Sequence, residues 1–376
     1  MRTLITLFLG VVLIMPTVSH ADDPLVFVSA FAAGDEGAIH AFRFDSKNGT
    51  LTPQAQTTDV EHPFFLVISP DRRFLYSIDT DKFGGAEDEF VAAYSIKDRT
   101  GKLVRLNRQS AKGSASCYLD IDATGKTVVL ANYSSGSVAA LPVQKDGSLG
   151  EATSFMQHEG SSANPKRQKA PYAHSIEISP DNRFALAADL GIDKVMIYQL
   201  DATTAKLTTA KAQAFATVEP GSGPRHLTFH PNGKNVYLIN ELKNTVTWFK
   251  YAPETGELTS QQTISTLPAD FDGVSHCADL KITPDGKFLY GTNRGHDSVA
   301  IYAIGDDGRL SLVKIEPSLG KGPQNLFITP DGKWLLCANM PGNNLVVFRI
   351  DSKTGQLTPH GNPVSIKMPS CIRWLP

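Results

Sequence analysis

The chain has 376 residues, 41% of them hydrophobic, with only four cysteines, so it can bury a large core and needs no disulfide scaffold. Its 36 basic and 38 acidic side chains nearly cancel, and the Lys and Arg residues are scattered instead of striped with aromatics. That distribution offers no electrostatic footprint for nucleic acid, which is set aside as a partner.

The first 21 residues stand apart from the rest. Arg2 precedes a nearly continuous apolar stretch, Leu4–Met15, and Ser19-His20-Ala21 places small residues at the −3 and −1 positions of a cleavage site before Asp22. The segment is too short for a transmembrane span of about 20 apolar residues. No cysteine follows it that could be lipidated. It reads as a removable secretory signal (1–21), giving a periplasmic or secreted protein with no membrane attachment after cleavage. The remaining 22–376 show no composition shift and are expected to form a single domain.

Within that domain one phrase returns six times: Ile68–Asp79, Ile121–Asn132, Ile178–Asp189, Phe229–Asn240, Ile282–Asn293 and Ile328–Asn339. Each is an apolar strand, a turn such as Pro-Asp-Gly or Pro-Asn-Gly, and a second apolar strand. Proline presets the first turn dihedral, and the residues after it tolerate positive φ, so each copy predicts a hairpin. Successive copies begin 46 to 57 residues apart. That period accommodates a four-stranded sheet and is too long for helical or leucine-rich repeats. A third apolar run follows each hairpin, as in Ser298–Ile304 and Asn344–Ile350, and then a turn and a short fourth strand.

A seventh copy begins at Pro369-Ser370-Cys371-Ile372 and stops at Pro376. Its continuation is the N-terminal run Leu25–Phe31 with Gly37–Phe44 and Gly49–Pro53. The fold expected is therefore an all-β, seven-bladed β-propeller closed by pairing of N- and C-terminal strands in one blade, which leaves few exposed edges. The longest insertion, His158–Pro171, is polar and partly basic; it reads as a surface loop, with a lid over the channel mouth as the sharper alternative. The cysteines Cys117, Cys277, Cys337 and Cys371 lack zinc-site spacing and fall at strand positions typical of buried small residues, with a bridge the alternative in an oxidising compartment. No metal or cofactor is expected.

Function is sought where the repeat departs from its own pattern. At the channel-entrance position the seven copies carry Phe64, Cys117, His174, Arg225, Ala278, Gln324 and Ser370. After the second strand they carry Thr80, Tyr133, Leu190, Glu241, Arg294 and Met340. Equal register in every blade would gather His174, Arg225, Glu241 and Arg294 over three consecutive blades. Four ionisable groups at one mouth need a reason beyond packing. His226, Asp279 and Asn325 occupy the neighbouring inner-strand position; for Asp279 a blade-to-blade hydrogen-bond acceptor is favoured over a carboxylate that orients an arginine.

The phrases Gly223-Pro224-Arg225-His226, Asn240-Glu241-Leu242, Ala173-His174-Ser175 with Ser179-Pro180-Asp181, and Asn293-Arg294-Gly295-His296 resemble those of the seven-bladed propeller lactonases, the group containing bacterial 6-phosphogluconolactonase and fungal carboxy-muconate cyclase. The resemblance implies that His174, Arg225, Glu241 and Arg294 serve catalysis and substrate anchoring and that the chemistry is metal-independent; Gln324, His226, Asn325 and Asp279 are the candidate substrate-binding neighbours by their repeat positions beside that set. Gln324 stands where phosphogluconolactonase-like members often carry arginine, and an exported protein would meet unphosphorylated lactones. A small-molecule lactone or sugar acid is thus the expected partner.

Lactone opening needs an activated water, a stabilised oxyanion and a proton for the leaving alkoxide. The arginines suit the oxyanion and the product carboxylate. Glu241 beside them should be ionised but weakly basic, which favours His174 as general base, with the reverse assignment open if Glu241 is desolvated. Two other readings remain: a non-catalytic propeller binding a small acid or protein at the same mouth, and a muconate cycloisomerase.

Overall fold

A computed structural model describes residues 23–85 and 88–376; the signal segment expected over 1–21 lies outside them. Seven antiparallel sheets follow one another along the chain, and the only helical element among the described residues is a 3-10 turn at Gly34–Glu36. Blade four shows the plan: Pro224–Phe229, Asn235–Asn240, Thr245–Tyr251 and Leu258–Ser265, each hydrogen-bonded to the next. Blade three departs from it, because its fourth strand is split into Lys206–Thr209 and Phe215–Thr217, both paired with Lys194–Asp201.

The ring closes as the sequence predicts. Pro369–Leu375 pairs antiparallel with Leu25–Ala30, matching Leu375 to Leu25 and Ile372 to Val28, so one blade holds both ends of the chain. The innermost strands touch in a continuous circle, from Leu66–Ile68 through Ser116–Ile121, Ala173–Ile178, Pro224–Phe229, His276–Ile282 and Pro323–Ile328 to Pro369–Leu375 and back.

The repeated residues each have a physical task. In the Ser/Thr-Pro-Asp turns, the hydroxyls of Ser69, Ser179, Thr283 and Thr329 donate to Asp71, Asp181, Asp285 and Asp331 at 2.5–2.7 Å and accept the amide that opens the next strand. Second strands such as Asn235–Asn240 are buried along their whole length, because both faces meet neighbouring blades. Leu238, fully buried there, contributes roughly 1.5–3 kcal/mol of apolar burial. Tyrosines on these strands tie blades together: Tyr76, Tyr237 and Tyr290 donate to the carbonyls of Gly147, Gly308 and Gly355 in the following blade at 3.1, 2.7 and 2.8 Å. Gly147 has φ +88°, and a Cβ there would lie 2.1 Å from the Phe74 ring, so the approach requires glycine.

One irregularity prepares the site. The pairing of the innermost strand slips at Cys117, His174, Arg225, Ala278–Asp279, Gln324 and Ser370, a β-bulge in six of the seven blades. A bulge breaks the strict alternation of faces. Consecutive residues such as Arg225 and His226 can therefore both turn to the channel, one at its mouth and one beneath.

Candidate active site at the channel mouth

The structure brings the four expected residues together. Glu241, 4% exposed, is the hub. Its Oε2 accepts from Arg225 Nε at 3.1 Å and Arg294 Nη2 at 2.8 Å, and lies 3.8 Å from His174 Nε2. Its Oε1 accepts from Arg167 Nη2 at 2.7 Å. Burial alone would raise the Glu241 carboxyl, but Arg294, Arg225, His174 and Arg167 together hold it well below the ordinary carboxylate range. It is ionised at neutral pH, and both of its oxygens are committed to arginine donors.

His174 is also buried, and burial reinforced by the Arg225 charge holds its imidazole well below its usual value in spite of Glu241. It is neutral at neutral pH, with its Nδ1 at 3.7 Å from the Cys117 thiol and the Tyr133 ring edge-on at 5.2 Å.

Arg225 is 1% exposed, an unusual position for a guanidinium. Burial and Arg294 lower it to about 10, still protonated near pH 7. Nε is spent on Glu241, and Nη1 donates to the Ala278 carbonyl and, at 3.1 Å, to His226 Nε2. That donation makes Nε2 an acceptor, so His226 carries its proton on Nδ1 and donates it to Asp279 Oδ1 at 2.9 Å. Burial, then Arg225, lower His226 to about 3, consistent with the neutral form. The Nη2 group of Arg225 has no partner among the described residues.

Arg294, whose side chain is 28% exposed, reaches Glu241, the Cys277 carbonyl at 2.9 Å and Gln324 Oε1 at 3.5 Å. Gln324 is thus a mouth residue. His226, Asp279 and Asn325 are in a layer beneath and saturate one another: Asp279 Oδ2 accepts from Asn325 Nδ2 at 2.7 Å and the Leu326 amide at 2.9 Å, while Asn325 Oδ1 accepts from the Ile372 amide. Asp279 links blades four, five and six, and through His226 it also orients Arg225. Phe65 and Tyr118 complete this layer, their rings 6.0 and 5.0 Å from His226 and 4.2 Å from each other.

Two groups escaped the sequence reading. Arg167 comes from the His158–Pro171 insertion, which is tied to blade three by His158 Nδ1 to Asp189 at 2.6 Å, Ser162 to Asp193 at 2.5 Å and Gln168 to the Leu190 carbonyl at 2.8 Å. Its basic composition was visible, but a contact spanning 74 residues was not. On the other side, Phe64 packs with Phe31 and Phe83 at ring separations of 5.0 and 5.4 Å. The mouth therefore has a charged pole over blades three to five and an aromatic pole at blades seven and one.

Comparison with known proteins agrees with this picture. The family model described as "Lactonase, 7-bladed beta-propeller" matches residues 25–374. The chain belongs to that family. It is 34% identical over 351 residues to the 6-phosphogluconolactonase of Bacillus subtilis, covering 93% of this chain and 97% of that one. A 6-phosphogluconolactonase of Formosa agariphila is 35% identical over 338 residues, covering 88% and 94%. Among solved structures, the periplasmic gluconolactonase PpgL of Pseudomonas aeruginosa superposes with a TM-score of 0.87 at 32% identity, covering 94% of this propeller lactonase and 99% of PpgL.

Proposed function

We propose that this propeller lactonase is exported and hydrolyses an unphosphorylated sugar-acid lactone at the charged mouth. The observation that carries the reading is the buried Glu241 carboxylate holding Arg225, Arg294 and Arg167 around a neutral His174. Its cations are fixed before substrate arrives, so they cost little reorganisation when an oxyanion forms.

In this scheme His174 accepts a proton as water attacks the lactone carbonyl carbon. Arg294 and the free Nη2 of Arg225 stabilise the oxyanion. The ring C–O bond then breaks, and His174 returns its proton to the leaving alkoxide, giving a hydroxy acid. Glu241 is the positioning anion that keeps the guanidinium groups in place. Arg167, 35% exposed, is set to meet the product carboxylate, and the Phe31, Phe64 and Phe83 rings offer a face for the apolar side of a sugar ring. His226, Asp279 and Asn325 support Arg225 from below without touching substrate.

Export is supported by the Arg2, Leu4–Met15 and Ser19–Ala21 pattern and by the likeness to a periplasmic gluconolactonase. The preference for an unphosphorylated substrate is supported by Gln324, a neutral residue beside Arg294. Initial rates on δ-gluconolactone and its 6-phosphate, with osmotic-shock fractionation of the full-length chain, test both. Higher kcat/KM on the unphosphorylated lactone and recovery of the protein in the shock fluid are expected. Strong preference for the phosphate ester, with the protein retained in the cytoplasm, would overturn it.

A further inference from the structure

A cavity of about 500 Å³ opens where the inner strands end, away from the charged mouth, and none of the proposed catalytic residues lines it. Its walls are apolar at Val67, Ile121, Ile282, Phe327 and Ile328, and polar at Tyr118, Asp120, Glu177, Lys281 and Arg373. The layer of Phe65, Tyr118, His226 and Asp279 separates it from the mouth.

The hydrogen-bond balance of its charged groups is uneven. Both oxygens of Asp120 are taken by backbone amides, those of Ile121 and Ile178, each at 2.8 Å. Glu177 Oε2 accepts from the Tyr118 hydroxyl at 3.3 Å. The cations are less committed. Lys281 spends two of its three hydrogens, on Asp279 Oδ1 at 2.9 Å and the Leu280 carbonyl at 3.0 Å. Arg373 donates only from Nη1, to the carbonyl of the preceding residue at 2.8 Å, and rests over the Phe65 ring at 4.5 Å; its Nε and Nη2 have no partner among the described residues. Burial and the Asp120 charge push Glu177 up to about 8, so near neutral pH it bears a proton and adds a donor. The Asp120 carboxylate is thus satisfied by backbone amides, while Lys281 and Arg373 keep donors to spare.

We propose that this cavity is a second ligand site, for a small organic carboxylate whose charged end pairs with Arg373 and Lys281 and whose apolar body lies against Ile282, Phe327 and Ile328. A guanidinium with one edge unoccupied matches the two oxygens of a carboxylate, and the apolar walls favour an organic acid over inorganic phosphate or a bare cation. The site is independent of the reaction proposed at the mouth.

The probe is 4-bromobenzoate, titrated calorimetrically into the protein and soaked into its crystals, with the bromine located by anomalous scattering. A peak among Ile282, Phe327 and Arg373 is expected, with affinity falling tenfold or more in Arg373→Gln and in Thr228→Trp, which fills the cavity from the blade-four wall. Inorganic phosphate should give no comparable heat. A bromine peak only at the Glu241 mouth, unchanged affinity in folded variants, or neither heat nor peak would overturn the proposal. So would phosphate that binds as tightly as the bromobenzoate.

Discussion

Replacing Glu241 with Gln tests the claim that one buried carboxylate organises the mouth. The substitution keeps the shape and one acceptor but removes the charge that faces Arg225, Arg294 and Arg167 at 3.1, 2.8 and 2.7 Å. Removing one partner of a buried ion pair costs about 3–5 kcal/mol, because the other charge is left without compensation. Arg225, at 1% exposure, cannot recover that cost from water. With an unfolding entropy of roughly 2.1 cal/mol/K per residue, a propeller of ~350 residues loses about 4–7 °C in Tm. Arg225→Met added to Glu241→Gln should restore part of the loss. The pH dependence has a definite sign. Glu241 ionises at lower pH when folded than its unfolded value of about 4.3, so its contribution is complete above that value and lost as pH falls toward the folded one. Gln cannot titrate, so the Tm gap should be constant from about pH 5 to 8 and close below about pH 4.3. Thermal unfolding followed by circular dichroism across this range is the assay. A Glu241→Gln protein within about 1 °C of wild type, or a gap that closes as pH rises, would show that the carboxylate does not hold the arginines in place.

Other outcomes follow from the same geometry. Because His174 is held well below its ordinary range, kcat/KM measured in a pH-stat should be flat through pH 6.5 and decline only at lower pH; a half-maximal point at 6.5 would show an unperturbed imidazole. Arg167→Ala should lower kcat/KM by roughly 10- to 100-fold, as expected for losing a charge-assisted hydrogen bond, while circular dichroism shows Tm changing less than in Glu241→Gln. The four cysteines are free and buried, and burial raises all their thiols, Cys277 to about 12. A thiol reagent should therefore titrate them only after denaturation.

The architecture was legible because the repeat states it locally. A Ser/Thr-Pro-Asp turn needs only neighbours within five residues, and seven copies fix the blade count and the N- to C-terminal closure. The charged mouth was legible for a related reason: His174 and Arg225 share one repeat position and Glu241 and Arg294 another, and equal register in the blades brings the two positions together. Register did not separate mouth residues from those beneath, because bulges break the alternation of faces. Gln324 meets Arg294 at the mouth, whereas His226, Asp279 and Asn325, grouped with it as substrate neighbours, are buried and bonded to one another. The favoured reading of Asp279 as a blade-to-blade acceptor agrees with its bonds to His226, Asn325 and Leu326. Phe64 was placed at the entrance by the repeat, but its meeting with Phe31 and Phe83, and the reach of Arg167 to Glu241, were not legible, since loops meet through tertiary contacts that no period encodes. The expected pKa of Glu241 had the right direction because three cations outweigh its burial; that of His174 depended on burial, which sequence does not give.

Hydrolysis at this mouth is tested by proton release from δ-gluconolactone by the chain from Asp22 onward, treated with chelator, beside folded His174→Ala and Glu241→Gln variants. Turnover above the spontaneous rate is expected in the wild-type protein, with a loss of roughly 10²- to 10⁴-fold when His174 is removed. Glu241→Gln should also fall as the arginines lose their anchor. Wild-type turnover in both folded variants would place the chemistry elsewhere, and a panel of sugar and aliphatic lactones left unhydrolysed by the wild-type protein would contradict the assignment of hydrolysis to this mouth.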